Sequence, residues 1–203
     1  MNYIDQIAEL GSCRVVLQWL RGKNFQTLSA AWRCCPYGDW MLWLAARAGL
    51  TPERHRALVL AACDCADIVA EYRRPGDKKV LKAALATARA WAHGEATLNE
   101  VAEAVAKAEA AVAAAWLDEK AKVEEAKAAK SVAKAVLAVR IPTEAWVAAE
   151  AAAETVWAAT PADEAAAAEE DILHRCAYIV RKYLTAPTLE RGVSYDKTFL
   201  SVG

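Results

Sequence analysis

What is scarce in this chain narrows its function before any motif is read. Glycine occurs 8 times in 203 residues, and no glycine-rich stretch forms a phosphate-cradling loop or a sharp elbow that presents a nucleophile. The three histidines, His55, His93 and His174, fall on three separate expected helices. Neither Cys34-Cys35 nor Cys63-x-Cys65 has the two-residue gap of a zinc knuckle. Cys13, Cys34, Cys35, Cys63, Cys65 and Cys176 therefore read as free thiols packed as small apolar groups. No metal, no cofactor and no catalytic constellation is expected. Charge of one sign is missing as well: the formal net charge is −1, which gives no field to draw the protein onto nucleic acid or anionic lipid. The longest apolar runs, such as residues 40–46 and 110–117, fall far short of the ~20 residues that cross a bilayer. The opening Met1-Asn2-Tyr3-Ile4-Asp5 has no basic region followed by an apolar one, so it does not read as a signal peptide, and a cytoplasmic location is expected.

Alanine is what abounds. The hydrophobic fraction is 56% although the mean hydropathy is only +0.07, because an alanine methyl adds little transfer free energy while having the best helix propensity. The punctuation agrees with helix throughout. A short first helix over 4–10 ends at Gly11, and Ser12 caps a second that Gly22 stops. A third spans 25–35, Pro36-Tyr37-Gly38 turns the chain, and Asp39 opens a fourth that is apolar nearly all round, as a buried helix is. Thr51-Pro52-Glu53 starts a helix reaching about residue 72. Asp77 caps the next, which stops at Gly94. The capping box Thr97 to Glu100 launches one long helix to about 139, and Pro142 interrupts it. A helix over 143–159 follows, and Thr160-Pro161 starts the last, ending near 184. A tail over 185–203 either docks or is loose, and 193–202 suits a short extended piece. The expected fold is all-α, an orthogonal multi-helix bundle or a short solenoid of antiparallel helices. It divides into an aromatic-rich half over 1–95 and an alanine-rich half over 96–184 packed on it.

Two clusters carry chemistry. Trp40 and Trp43 share one helix face with Arg47 a turn beyond. That set is either core anchoring or an aromatic pocket with a cationic rim, suited to stacking a base or clamping a partner's side chain. Arg73 and Arg74 precede Asp77, Lys78 and Lys79 at a helix N-terminus. This is either a solvated turn with a capping aspartate or an anion site built from guanidinium forks and backbone amides. Arg89 and Trp91 on the same helix complete the candidate binding set. Asp64, Asp67 and Glu71 lie three and four apart on the preceding face, placed to neutralise those arginines.

The segment Arg74-Pro75-Gly76-Asp77 followed by Ala83-Ala84-Leu85-Ala86-Thr87-Ala88-Arg89-Ala90-Trp91-Ala92-His93-Gly94-Glu95-Ala96-Thr97 resembles an immunity-protein family found beside bacterial toxin systems and in phage genomes. The stretch over 172–184 looks like that family's closing helix, and the likeness covers about 51–187. Residues 1–50 are similar to an extension of phage-type members. The resemblance implies inhibition by binding, with no defined target and no residue roles to carry over. The expected function is therefore a non-enzymatic inhibitor that sequesters a bacterial toxin, a defence effector protein or a small nucleotide signal. Two other readings stand beside it: a helical nucleotide hydrolase using Asp64, Asp67, Glu71 or His174, and a self-associating helical scaffold forming a homo-oligomer.

Overall fold

The computed structural model describes residues 2–118 and 122–189. Among them are ten α-helices and no strand: α1 Tyr3–Glu9, α2 Arg14–Lys23, α3 Leu28–Cys34, α4 Gly38–Arg47, α5 Pro52–Asp67, α6 Lys78–His93, α7 Leu98–Leu117, α8 Val123–Leu137, α9 Ala145–Ala159 and α10 Ala165–Tyr183. The 3-10 turns Ala70–Tyr72 and Pro142–Glu144 precede α6 and α9. Among the described residues no helix is long and apolar enough to cross a membrane. All six cysteines are free thiols, Cys13 and Cys34 exposed and the other four buried.

Local chemistry accounts for most of the ends. The side chains of Thr27, Thr51 and Thr97 each accept a hydrogen bond from the amide three residues on, which satisfies a donor that the first turn leaves unpaired. The Glu100 carboxylate in turn accepts from the Thr97 amide and closes the box. Gly94 ends α6 at φ +81°, a backbone shape that glycine adopts without strain.

Several boundaries differ from the sequence reading. The helix expected to reach about residue 72 ends at Asp67, before the 3-10 turn, and α4 opens at Gly38 after Tyr37, ahead of Asp39. Cys13, not Ser12, precedes α2. Gly22 lies within that helix, which ends at Asn24 with φ +50°, because a lone glycine weakens a helix without breaking it. Thr160 does not open α10. Its hydroxyl donates back to the Val156 carbonyl, and the helix begins five residues later. Finally, the long helix expected over 97–139 is two. An unbroken rod of that length would run about 60 Å, too long to bury its alanine faces on a domain of this size, so α8 folds back against α7. The expected extended piece over 193–202 lies outside the described residues.

α5 is the central element, packed on α4, α6, α8, α9 and α10. Leu58, Val59, Cys63, Cys65 and Ala66 on it are sealed from solvent. Alanine at Ala128, Ala135, Ala148 and Ala152 lets α8 and α9 approach closely, and the buried Ser131 hydroxyl on α8 donates across to the Ala148 carbonyl at 2.7 Å. His55 Nε2 donates to the Ala138 carbonyl, tying α5 to the end of α8. Arg181 on α10 reaches the Trp32 and Cys35 carbonyls at the end of α3, where a cation complements the helix dipole. The start of the tail docks: Pro187 is buried, and the Leu189 carbonyl accepts from Gln6. One apolar cluster runs from Ile7 to Leu184.

Asp39, in the first turn of α4, has one carboxylate oxygen sealed from solvent without a side-chain partner. Burial pushes its pKa up to about 6; amides of the first turn oppose the shift, and Glu150 of α9 and Glu169 of α10 add to it. A raised carboxyl pKa stabilises the fold below the unfolded value near 4, and that contribution is lost as pH rises through about 6. Asp39→Asn is therefore expected to be more stable than the wild type by about 1–2 kcal/mol at pH 7. The advantage should vanish near pH 4. Chemical denaturation at the two pH values checks this, and an advantage equal at both would show that Asp39 does not titrate with folding.

Candidate functional site

The aromatic cluster packs on the core, with Trp32 buried and Trp19, Trp40 and Trp43 half-buried. Trp40 packs edge-on against Trp19 at 6.1 Å and tilted against Tyr37 at 4.1 Å, and Trp32 is buried with its indole N–H unpaired. The crevice among Trp19, Leu28, Trp32, Trp40 and Trp43 holds about 30 Å³, room for about one water-sized body and no base. Arg47 does sit over the Trp43 ring at 5.5 Å, and its Nη1 donates to the Leu10 carbonyl. That contact staples α4 to the end of α1.

The basic turn splits. Arg74 turns to a fork on Asp77, Nε to Oδ2 at 2.8 Å and Nη2 to Oδ1 at 3.2 Å, and its Nη1 donates to Asp118 at 3.1 Å. The Asp77 carboxylate, spent on Arg74, makes no cap bond to α6. Arg74 thus braces the start of α6 against the end of α7. Lys78 stands exposed. Trp91 leans edge-on against His55 at 5.0 Å, on the α5 side of α6.

Arg73 points the other way. It is only 4% exposed, and its Nη2 donates to the Ala66 carbonyl at 2.7 Å and to Asp67 Oδ1 at 2.9 Å. Across from it Arg89 of α6 gives Nη2 to Asp67 Oδ2 at 2.5 Å and to Asp64 Oδ1 at 2.9 Å. Tyr183, at the end of α10, donates its hydroxyl to Asp64 Oδ2 at 2.6 Å. Burial works against the Arg89 charge, but the hydrogen bonds it donates to Asp67 and Asp64 outweigh that and raise its pKa. The same Asp64 bond, with burial, pushes the Tyr183 hydroxyl up to about 12.

Asp67, Arg73 and Arg89 of this chain of side chains floor a cleft of about 530 Å³ between α5 and α6, lined also by Lys82, His93 and Glu95 with alanines between. The volume falls in the range, roughly 300–1,000 Å³, that holds a small ligand. Each arginine is pinned through Nη2 alone. Among the described residues, Nε and Nη1 of both have no acceptor, and the Arg73 Nε–H is buried in that state. A buried N–H without an acceptor is costly; the donors that an incoming oxyanion can reach are those of the partly exposed Arg89. The aspartates hold the forks in place while leaving donors free.

All four oxygens of Asp64 and Asp67 accept hydrogen bonds, and no group of three or more His, Cys, Asp or Glu among the described residues is placed to hold a metal ion. Glu71 is exposed in the 3-10 turn before α6, and His174 pairs with Glu170 at 3.6 Å on α10.

Of the expected residues the cleft thus gathers Arg73 and Arg89, with Asp67 between them. Trp40, Trp43, Arg47, Arg74, Asp77, Lys78 and Trp91 lie elsewhere. Lys82 and Glu95 were not singled out from the sequence, nor was Tyr183, which joins Asp64 behind the floor, and His93 stands there only as one of three scattered histidines. Spacing carried a signal for two of them: 82, 86, 89, 90 and 93 are one stripe of α6, bases separated by alanines too small to fill the space between. Comparison with protein-family models, curated proteins and solved structures finds no match to this chain.

Proposed function

We propose that this protein binds a small phosphate-bearing ligand in the α5–α6 cleft and holds it without turning it over. The observation that carries the reading is the Arg73–Asp67–Arg89 floor, in which two guanidinium groups are fixed in place with donors to spare. Asp64 and Asp67 are engaged at every oxygen, so they serve as positioning groups and are poorly placed to act as general base or metal ligand. In the setting implied by the likeness to immunity proteins, the ligand is a nucleotide signal and its sequestration is the inhibitory act. The cleft favours that target over an effector protein, which would need a docking face of about 800 Å².

Thermal shift with cyclic dinucleotides and with ADP-ribose tests the proposal. A ligand at a hundred times its Kd is expected to add about 2.7 kcal/mol and so to raise Tm by roughly 5–10 °C for a chain of this length. Chromatography after overnight incubation should return the ligand intact. Absence of a shift with every nucleotide, or recovery of cleaved product, would overturn it.

A further inference from the structure

Glu95 is the one carboxylate of the cleft with no partner among the described residues. Its position is not accidental to a loop. Gly94 donates its amide to the Trp91 carbonyl and Glu95 donates its own to the Ala90 carbonyl at 2.8 Å, the paired bonds that close a helix end. The cap therefore holds Glu95 at the cleft's edge. Toward a bare oxyanion such a group is repulsive, and a site meant for inorganic phosphate has no use for it. A carboxylate accepts hydrogen bonds and donates none, so it complements a ligand that brings hydroxyl donors. Glu95 lines the same cleft as Arg89 and Lys82, so a ligand whose phosphate meets those bases can present its hydroxyls to the carboxylate.

We infer that Glu95 reads hydroxyl groups on the ligand, so that the cleft takes the phosphate ester of a sugar, free or within a nucleotide, and discriminates against bare phosphate or pyrophosphate. The phosphate lies against the open donors of Arg89, with Lys82 beside them and the buried Arg73 guanidinium beneath, and the sugar hydroxyls donate to Glu95. This rests on the anion-binding reading of the cleft given above. Glu95 is exposed and packs into no core, so its variants are expected to fold.

Isothermal titration of wild type, Glu95→Ala and Glu95→Gln with ribose 5-phosphate, ADP-ribose and pyrophosphate separates the possibilities. Glu95→Ala is expected to weaken both sugar phosphates about tenfold, the scale of a hydrogen bond to a charged group, and to leave pyrophosphate unchanged or tighter. Glu95→Gln, which keeps one acceptor, should fall between. If Glu95→Ala leaves the ratio of sugar phosphate to pyrophosphate affinity unchanged, the role given to Glu95 is overturned while the cleft stands. Failure of all three ligands to bind the wild type would remove the anion-binding reading and this inference with it.

Discussion

Replacing Gly38 by alanine is expected to lower the melting temperature by roughly 6–12 °C, the consequence of about 3 kcal/mol of overpacking in a chain of this length. A Cβ built at Gly38 meets the Cys176 Cβ at 2.4 Å, the Ala177 amide nitrogen at 2.6 Å and the Cys176 carbonyl carbon at 2.6 Å. Two of the three are backbone of α10, so no side chain can swing aside. The helices α4 and α10 themselves must part, which loosens both from α5 and α9, on which each also packs. Gly22 supplies the contrast. It also lies within a helix, but a Cβ there meets nothing within 4 Å, so Gly22→Ala is expected to stabilise by about 0.5–1 kcal/mol through helix propensity alone. Differential scanning calorimetry of the two variants side by side checks both signs. A Gly38→Ala protein that melts with the wild type would mean that α4 and α10 do not approach as closely as described.

The same two glycines show which part of the fold was legible. Punctuation by capping chemistry could be read directly: Thr51-Pro52, the Thr97 to Glu100 box and Gly94 are local signals, answered within one helical turn. What could not be read were boundaries set by tertiary packing. Nothing in the alanine, lysine and glutamate run over 97–139 forbids continued helix, and only the need to bury its alanine faces folds α8 back on α7. Thr160-Pro161 has the composition of a helix start, yet its hydroxyl ends the helix before. The cleft divides likewise. The α6 stripe of Lys82, Arg89 and His93 was present as a spacing. That Arg73 turns inward while Arg74 turns to Asp77 and Asp118 depends on where α5 and α7 lie, and neighbouring arginines do not announce it. Tyr183 joins Asp64 across 119 positions of sequence, a pairing no local pattern encodes.

That division between two adjacent arginines makes the sharpest test of the site. Arg89→Met, which keeps the apolar stem and removes the fork, is expected to weaken the binding of a phosphate-bearing ligand about a hundredfold, the scale of losing two charge-assisted hydrogen bonds. Arg89→Lys should recover little of it, since a single ammonium does not span Asp64, Asp67 and a ligand oxyanion at once. The fold should survive the change. Without Arg89, Asp64 still accepts from Tyr183 and Asp67 from Arg73, and both carboxylates are partly exposed, so the stability cost is held to about 1–2 kcal/mol after solvent screening. Arg74→Met supplies the comparison. Its donors face Asp77 and Asp118, so it should loosen the joint of α6 with α7 while leaving affinity within about twofold, as independent sites do. Titration calorimetry on the three variants at one ionic strength decides the matter. Equal losses at Arg74 and Arg89 would place recognition on the surface of the basic turn, and an undiminished Arg89→Met would leave the cleft without its ligand.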